Sequence, residues 1–193
     1  MGMREWTIRS LDLLLASAGG LLLMPVFVVI LIAGWIETRS PLFRQTRVGR
    51  HQKPFTLVKF RTMHPGTPSV ATHLANSSAV TRLGGVLRRT KLDELPQLWN
   101  VVRGEMSLVG PRPCLPEQRE LIDARVTRAV FDYRPGITGL AQVEGLDMSN
   151  PRQLAELDTR MLTSLSLRAY FRYLVRTVTG AGRGDHTGPG GRQ

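Results

Sequence analysis

Asp93 and Glu94 form an adjacent acidic pair in the stretch RRTKLDELPQLWNV (88–101), directly behind Arg88, Arg89 and Lys91 and bracketed by Leu92 and Leu95. Neighbouring carboxylates can supply a nucleophile, move a proton or offer hard oxygen ligands to a divalent cation. A solvated helix face accounts for most such dipeptides. The three cations beside this one suit a different use, because positive charge next to a carboxylate neutralises an approaching anionic group. Two more cation positions have the right character. Lys59 and Arg61 close the stretch FTLVKFR, where strand alternation puts both on one side; a pair of snorkelling cations on an edge strand is the plain alternative. Arg112 is locked between Pro111 and Pro113, and prolines that fix φ present it on a stiff, extended segment. A rigid arginine loses little entropy on clamping a phosphate, although an ordinary proline-rich loop has the same composition.

The acidic pair needs an element to hold it. The stretch TRLGGVLRRTKLDELPQLWNVVRG reads as helix on both sides of a break near 90–93. Asp93 suits an N-cap, and Pro96 is tolerable only within the first turn of the following helix, where no intrahelical donor is lost. The pair is thereby expected at a helix N-terminus, where exposed N–H groups and the macrodipole favour phosphate oxygens. Capping alone accounts for Asp93 but leaves Glu94 and the three cations unexplained.

Upstream, PLFRQTRVGRHQKPFTLVKFRTM predicts two short strands, 42–46 and 55–60, joined by a turn over 49–54. Between 64 and 79 the composition shifts to Pro, Ser, Thr, Asn and Ala, the mark of a mobile loop. Downstream, an amphipathic helix is expected over 117–131, then a turn at Pro135-Gly136 with Arg134 on its lip, a strand over 137–143, and helices over 151–164 and 166–178. The class is α+β: a small, mostly helical domain with a short β-hairpin. In the last helix Arg168, Arg172 and Arg176 recur at i, i+4 and i+8 beside a stripe of Phe171, Leu174, Val175 and Val178, with Tyr170 and Tyr173 between them. That is the pattern of an amphipathic helix lying in a membrane interface; a helix packed on the protein with a solvated basic face shows it too. The Gly-rich tail, 180–193, has too few apolar groups to fold and is expected to be disordered.

No charged residue occurs from Ala16 to Gly34, and the wider apolar segment could cross a bilayer of roughly 30 Å if it were straight. Pro25, preceded by Met24, interrupts it. Arginines flank both sides, Arg4 and Arg9 before it and Arg39, Arg44, Arg47 and Arg50 after it, so positive charge favours both ends on one side. Asp12 falls in the first turns, near enough to the interface to escape full desolvation. A re-entrant helix kinked at Pro25, entering and leaving one leaflet, satisfies all three; a plain span and a cleaved signal peptide are the competing readings. The expected organisation is a membrane-inserted segment over 1–40, a catalytic part over 41–179 at the interface, and the tail.

Composition narrows the partners. The 193 residues carry a net charge of +11, from 23 Arg and 3 Lys against 15 acidic residues, and the arginine fork suits phosphate and carboxylate oxygens. Nucleic acid, lipid headgroup and nucleotide all remain open on charge alone. No zinc-finger, RNA-recognition or helix-turn-helix signature is present, which argues against a basic nucleic-acid-binding module. Cys114 is the single cysteine, so no internal disulfide forms. His51, His64, His73 and His186 have no ligand-like spacing, leaving zinc unsupported.

The apolar segment with its central proline, then FRQTRVGRHQKPFTLVKFRTM, then TRLGGVLRRTKLDELPQLWNVVRGEMSLVGPRP, then YRPGITGLAQVEG together resemble the bacterial sugar transferase family, the monotopic phosphoglycosyl transferases, in order and over about residues 9–178. The resemblance implies transfer of a sugar 1-phosphate from a UDP-sugar to polyprenyl (undecaprenyl) phosphate, with release of UMP, as the first membrane step of a glycan pathway. It implies that Asp93 is the nucleophile and forms a phosphosugar ester. Glu94 would assist it by holding Mg²⁺ or managing protons, and Asp93 and Glu94 would be the metal ligands. Lys59, Arg61, Arg88 and Arg112 would contact phosphate, with Arg134 and Asp158 in supporting substrate roles. It further implies the bacterial cytoplasmic membrane, with the catalytic part facing the cytosol and no nucleic-acid partner; an interfacial helix is also compatible with a homodimer. Met24 stands where many relatives carry serine. Leu140, Glu144 and Leu146, with Thr159, Arg160 and Met161, depart from the usual pattern in the region expected to touch nucleotide or sugar. A member that has lost turnover is the remaining alternative, against which Asp93, Glu94, Lys59 and Arg112 all speak.

Overall fold

The computed structural model describes residues 3–67, 77–146 and 150–180. Most of the loop expected to be mobile, and the tail from 181 onward, lie outside the described residues.

The apolar segment forms two helices, α1 (Met3–Leu22) and α2 (Met24–Thr38), bent by 62° at Leu23. Pro25 occupies the first turn of α2, where its missing N–H removes nothing. Hydrogen bonds from Leu23 N to Gly19 O and from Phe27 N to Leu23 O carry the chain through the bend. Among the described residues no single helix is long and apolar enough to cross a membrane; the bent pair passes that test only when taken together, by length and composition.

One side of α1, as far as Ala16, packs on the protein core. Ala16 packs with Val101, Met106, Leu108, Met161 and Tyr170, and Arg9 donates to the carbonyls of Val101 and Val102. Asp12 corrects an expectation: it lies in the protein interior, not at a lipid interface, and is almost fully buried. The reason is three donors aimed at one oxygen: the Ser107 hydroxyl at 3.0 Å, the Leu108 N–H at 2.9 Å and the Tyr170 hydroxyl at 2.8 Å, which replace the water a carboxylate otherwise needs. Around the bend the side chains turn outward, with Leu21 and Leu22 77% and 78% exposed. α2 then returns to the body, burying Ile30 against Phe60 and Leu87.

Strands β1 (Leu42–Val48) and β2 (Pro54–Phe60) pair antiparallel from Leu42↔Phe60 to Val48↔Pro54, the expected hairpin with longer strands. α3 (Arg82–Thr90) is capped by the Thr81 side chain, which accepts from Gly84 N at 2.9 Å. Lys91, in the left-handed region, ends α3. Asp93 then sits within a 3-10 turn, Leu92–Glu94, and α4 (Gln97–Val102) starts only after Pro96. Asp93 is therefore not the N-cap of α4. Pro96 has no N–H to reach the Leu92 carbonyl, which Leu95 N takes instead, so turn and helix stay separate.

A second, parallel pairing joins β3 (Ser107–Val109) to β4 (Gly136–Thr138). The helix expected over 117–131 is shorter: α5 spans Arg119–Val126, and Ala129 at φ 54° diverts the chain into a 3-10 turn, Val130–Asp132. The strand expected over 137–143 ends at Thr138, opposite the last residue of β3. Leu140–Glu144 form instead the short helix α6, between extended Gly139 and left-handed Gly145. α7 (Pro151–Ser164) and α8 (Leu167–Val178) start from Asn150 and Ser166, whose side chains accept from Gln153 N and Ala169 N. On α8, Tyr170 and Tyr173 are buried in the main core rather than lying at a boundary; Arg168, Phe171, Arg172, Val175, Arg176 and Val178 share its exposed surface.

Candidate active site

Three segments bring the chemistry together: the turn after α3, the end of β2 and the Pro111–Pro113 strip. Asp93 is 8% exposed at the centre of the turn. Glu94 Oε1 accepts from Arg112 Nη1 at 3.0 Å. Lys59, half-buried on β2, completes the group: burial pushes its ammonium below the ordinary lysine value, Asp93 is the strongest charge opposing that shift, Arg112 and Arg47 reinforce it, and Glu94 opposes it more weakly. A desolvated cation facing a nearly buried carboxylate interacts with it far more strongly than in water.

Lys59 Nζ and Arg61 Cζ each lie 5.6 Å from the centre of the Phe43 ring, so alternation does put them on one side. Their uses differ. Arg61 donates from Nε to Ser40 O at 2.8 Å and from Nη2 to Leu42 O at 3.2 Å, tying down the start of β1. Arg88, in the last turn of α3, donates from Nε to the Thr62 hydroxyl at 2.9 Å, while its Nη1 is buried with no hydrogen-bond partner among the described residues. A buried donor without an acceptor is costly, and a phosphate oxygen is the acceptor its charge would favour.

Arg112 rides on a strip whose carbonyls are all held. Gly136 N donates to Pro111 O at 2.9 Å, Arg125 Nη1 to Arg112 O at 2.9 Å, Arg47 Nη1 to Pro113 O at 2.9 Å and Val48 N to Cys114 O at 3.0 Å. The stiffness expected from the two prolines is thus reinforced from four directions. Asp158 lies behind this strip, not on its open side. It is buried against Arg125, accepting from Nε at 3.0 Å and Nη2 at 2.7 Å. Burial pushes the Asp158 carboxyl above the usual carboxylate range, and the Arg125 charge opposes that.

Arg134 is drawn into a different cluster. It donates from Nε to Gly104 O at 3.0 Å and lies 3.5 Å from Glu5, which also pairs with Arg50 at 2.7 Å. Its guanidinium pKa is lowered by burial first and then by Arg50 and Arg9, while Glu5 and Asp12 raise it. Lys59, Asp93, Glu94 and Arg112 therefore form one group with Arg88 on its α3 flank; Arg61, Arg134 and Asp158 each hold backbone or another arginine. Arg47 and Arg125 emerge from the structure alone. Arg125 left one trace in sequence, a charge at i+4 from Leu121 on the apolar side of α5.

Among the described residues, no three His, Cys, Asp or Glu side chains cluster in a way that could hold a metal ion. Two adjacent carboxylates still fit magnesium, which characteristically takes one or two carboxylates and completes its shell from water and substrate phosphates. A nearly buried carboxylate beside a desolvated lysine and a clamped arginine is an arrangement suited to chemistry on phosphate groups.

Comparison with known proteins agrees with that class. The bacterial sugar transferase family model matches residues 3–183. UDP-glucose:undecaprenyl-phosphate glucose-1-phosphate transferase of Caulobacter vibrioides is 40% identical over 180 residues, covering 88% of this chain and 67% of the relative. Exopolysaccharide production protein ExoY of Rhizobium meliloti is 38% identical over 191 residues, covering 88% and 83%. UDP-galactose-lipid carrier transferase of Erwinia amylovora is 38% identical over 187 residues, covering 88% and 39%. The chain belongs to the bacterial sugar transferase family, and it is a phosphoglycosyl transferase.

Proposed function

We propose that this chain transfers a sugar 1-phosphate from a UDP-sugar to undecaprenyl phosphate through an ester on Asp93, at the start of a surface or secreted glycan. The observation that carries this reading is the enclosure of Asp93: 8% exposed, with Lys59 as its charge partner and the Glu94–Arg112 pair alongside. A carboxylate is a weak nucleophile towards an anionic phosphate unless the phosphate charge is neutralised. Lys59 and Arg112 supply that neutralisation, and the unpaired Nη1 of Arg88 offers a further donor.

In the first step an Asp93 carboxylate oxygen attacks the sugar-bearing phosphorus. The bond to the UMP oxygen breaks, and UMP leaves with the electron pair. In the second, a phosphate oxygen of the lipid attacks the same phosphorus, the aspartyl ester breaks, and the carboxylate is restored as polyprenyl diphosphate sugar departs. Asp93 and Glu94 would hold Mg²⁺, and the ion when bound supplies further neutralisation of the phosphate charge. The relatives include a UDP-glucose and a UDP-galactose transferase, which supports a UDP-hexose donor whose identity a panel must decide.

The membrane reading rests on how the bent helices are tied. Arg9 and Asp12 fasten the near end of α1 to α4, β3 and α8. Ile30, packed on Phe60, and Glu37, accepting from Leu83 N at 3.2 Å, fasten the far end of α2 to the same body. Exposed Leu21, Leu22 and Met24 lie between. This supports a re-entrant tip entering one leaflet, with the inserted part beginning beyond Ala16 and the catalytic part on the cytosolic side of the bacterial cytoplasmic membrane. The exposed arginines and Phe171 of α8 would rest on the same surface.

The test is protein in nanodiscs with Mg²⁺, undecaprenyl phosphate and a panel of UDP-hexoses. UMP release with at least one donor, lost in Asp93→Asn with membrane association intact, is the expected result. Parent-rate UMP release by Asp93→Asn refutes the nucleophile.

A further inference from the structure

The buried ion pair behind the Arg112 strip has a use that neither its charge nor its burial explains. Arg125 and Asp158 are each 2% exposed. Replacing a buried pair of this kind by apolar side chains of similar volume is often neutral or stabilising, so stability alone gives no reason to keep it. Its geometry gives one. The Arg125 guanidinium is fixed by two hydrogen bonds to Asp158 Oδ2, and its remaining arm, Nη1, donates to the carbonyl of Arg112 itself. The prolines on either side of Arg112 leave that peptide with few alternatives.

We propose that Arg125 and Asp158 are positioning residues: the pair pins the Arg112 backbone and so fixes the guanidinium that meets Glu94. Asp158 orients Arg125, Arg125 holds the Arg112 carbonyl, and Arg112 faces the phosphate; Asp158 itself touches no substrate. The claim rests on the reading of Arg112 as a phosphate contact. It also makes a physical statement independent of that reading, that the pair keeps the 111–114 strip closed. Cys114, the single cysteine, is fully buried in that strip beside Arg125, and its thiol reports opening.

Three measurements on the full chain in nanodiscs, with melting temperatures recorded throughout, test the proposal. First, Asp158→Asn lowers kcat/KM for UMP release about 10- to 100-fold in the parent, the scale of a small misplacement at a reacting centre. In an Arg112→Ala background it changes kcat/KM less than about 3-fold, because the residue through which it acts is gone. Second, Arg125→Met combined with Asp158→Leu keeps the parent melting temperature while losing activity to the same extent. Third, both variants raise the rate of Cys114 labelling by an aromatic disulfide at least about 10-fold; in the apolar double variant, losing the Arg125 charge alone would slow thiolate chemistry, so acceleration there reads opening. Equal losses in both backgrounds, parental activity in the apolar double variant, or unchanged Cys114 protection each overturn the proposal. Where Asp158→Asn does not fold, the apolar double variant decides. Where the parent turns over no donor, the functional reading fails by itself and Cys114 labelling still decides whether the pair holds the strip.

Discussion

Arg112 Nη1 stands 3.0 Å from Glu94 Oε1, and the residue before that carboxylate is Asp93. On the proposed function one cation would serve two anions in turn, Glu94 in the resting site and a substrate phosphate during turnover. Arg112→Lys keeps the charge and loses the planar fork, which is not a conservative change at a site recognising phosphate. Its kcat/KM for UMP release is expected to fall about 10- to 100-fold, with Arg112→Ala lower still. A lysine variant at parental kcat/KM would leave charge as the whole of Arg112's contribution.

Lys59 makes pH a probe of the same centre. It must be protonated to neutralise phosphate, and burial sets its pKa below the ordinary 10.5. The rate is expected to fall on the alkaline side at a pH below 10.5, and Lys59→Arg, which keeps its charge there, to move that limb upward. Stability runs the other way. Between the lowered folded value and 10.5 the unfolded chain holds a proton that the folded chain has released, so the contribution of this group to stability rises with pH in that window. Loss of activity without loss of melting temperature across the window separates titration of Lys59 from unfolding; a profile unchanged in Lys59→Arg would sink the assignment.

The second sheet depends on a crossing too close for a side chain. A Cβ on Gly136 would collide with the backbone of Gly110, and a Cβ on Gly110 would meet the Arg134 carbonyl at 2.7 Å. Gly136→Ala must push β3 and β4 apart, with Pro111 O losing its donor as well. A destabilisation of about 3 kcal/mol is expected, read as a fall in melting temperature. A melting temperature equal to the parent's would mean that the two strands separate freely.

What the sequence made legible divides along the range of the interactions involved. The hairpin, the bend near Pro25 and the stiff Arg112 follow from alternation and proline chemistry, all local, whereas the grouping of Lys59 with the acidic pair is legible only through the resemblance to the family. Asp93 was misplaced as a cap because the absence of one donor, on Pro96, decides between a helix start and an isolated turn. The pairing of β3 with β4 brings Ser107 to Gly136, and three-residue strands carry too short an alternation to announce it. The burial of Asp12 and Asp158 is not legible in sequence because their partners, Tyr170 and Arg125, are 158 and 33 residues away. Charges buried by distant partners leave almost no periodic signal.

The attachment of α1 and α2 supports the re-entrant reading proposed above. A spanning helix would put one end on the far side of the bilayer. That would require either tearing Arg9 and Asp12 from Val101 and Leu108, or tearing Ile30 and Glu37 from Phe60 and Leu83. The first choice leaves a Ser107 hydroxyl, the Leu108 N–H and a Tyr170 hydroxyl without their acceptor, about 1–3 kcal/mol for each buried group. Entering and leaving one leaflet breaks none of these contacts and exposes only Leu21, Leu22 and their neighbours to lipid, which suits them. Single cysteines at the exposed positions Trp6 and Ile36, in a Cys114→Ala background, are therefore expected to react with a membrane-impermeant maleimide from the same side of sealed vesicles. Labelling from opposite sides would contradict the folded attachment of one helix and, with it, the re-entrant reading.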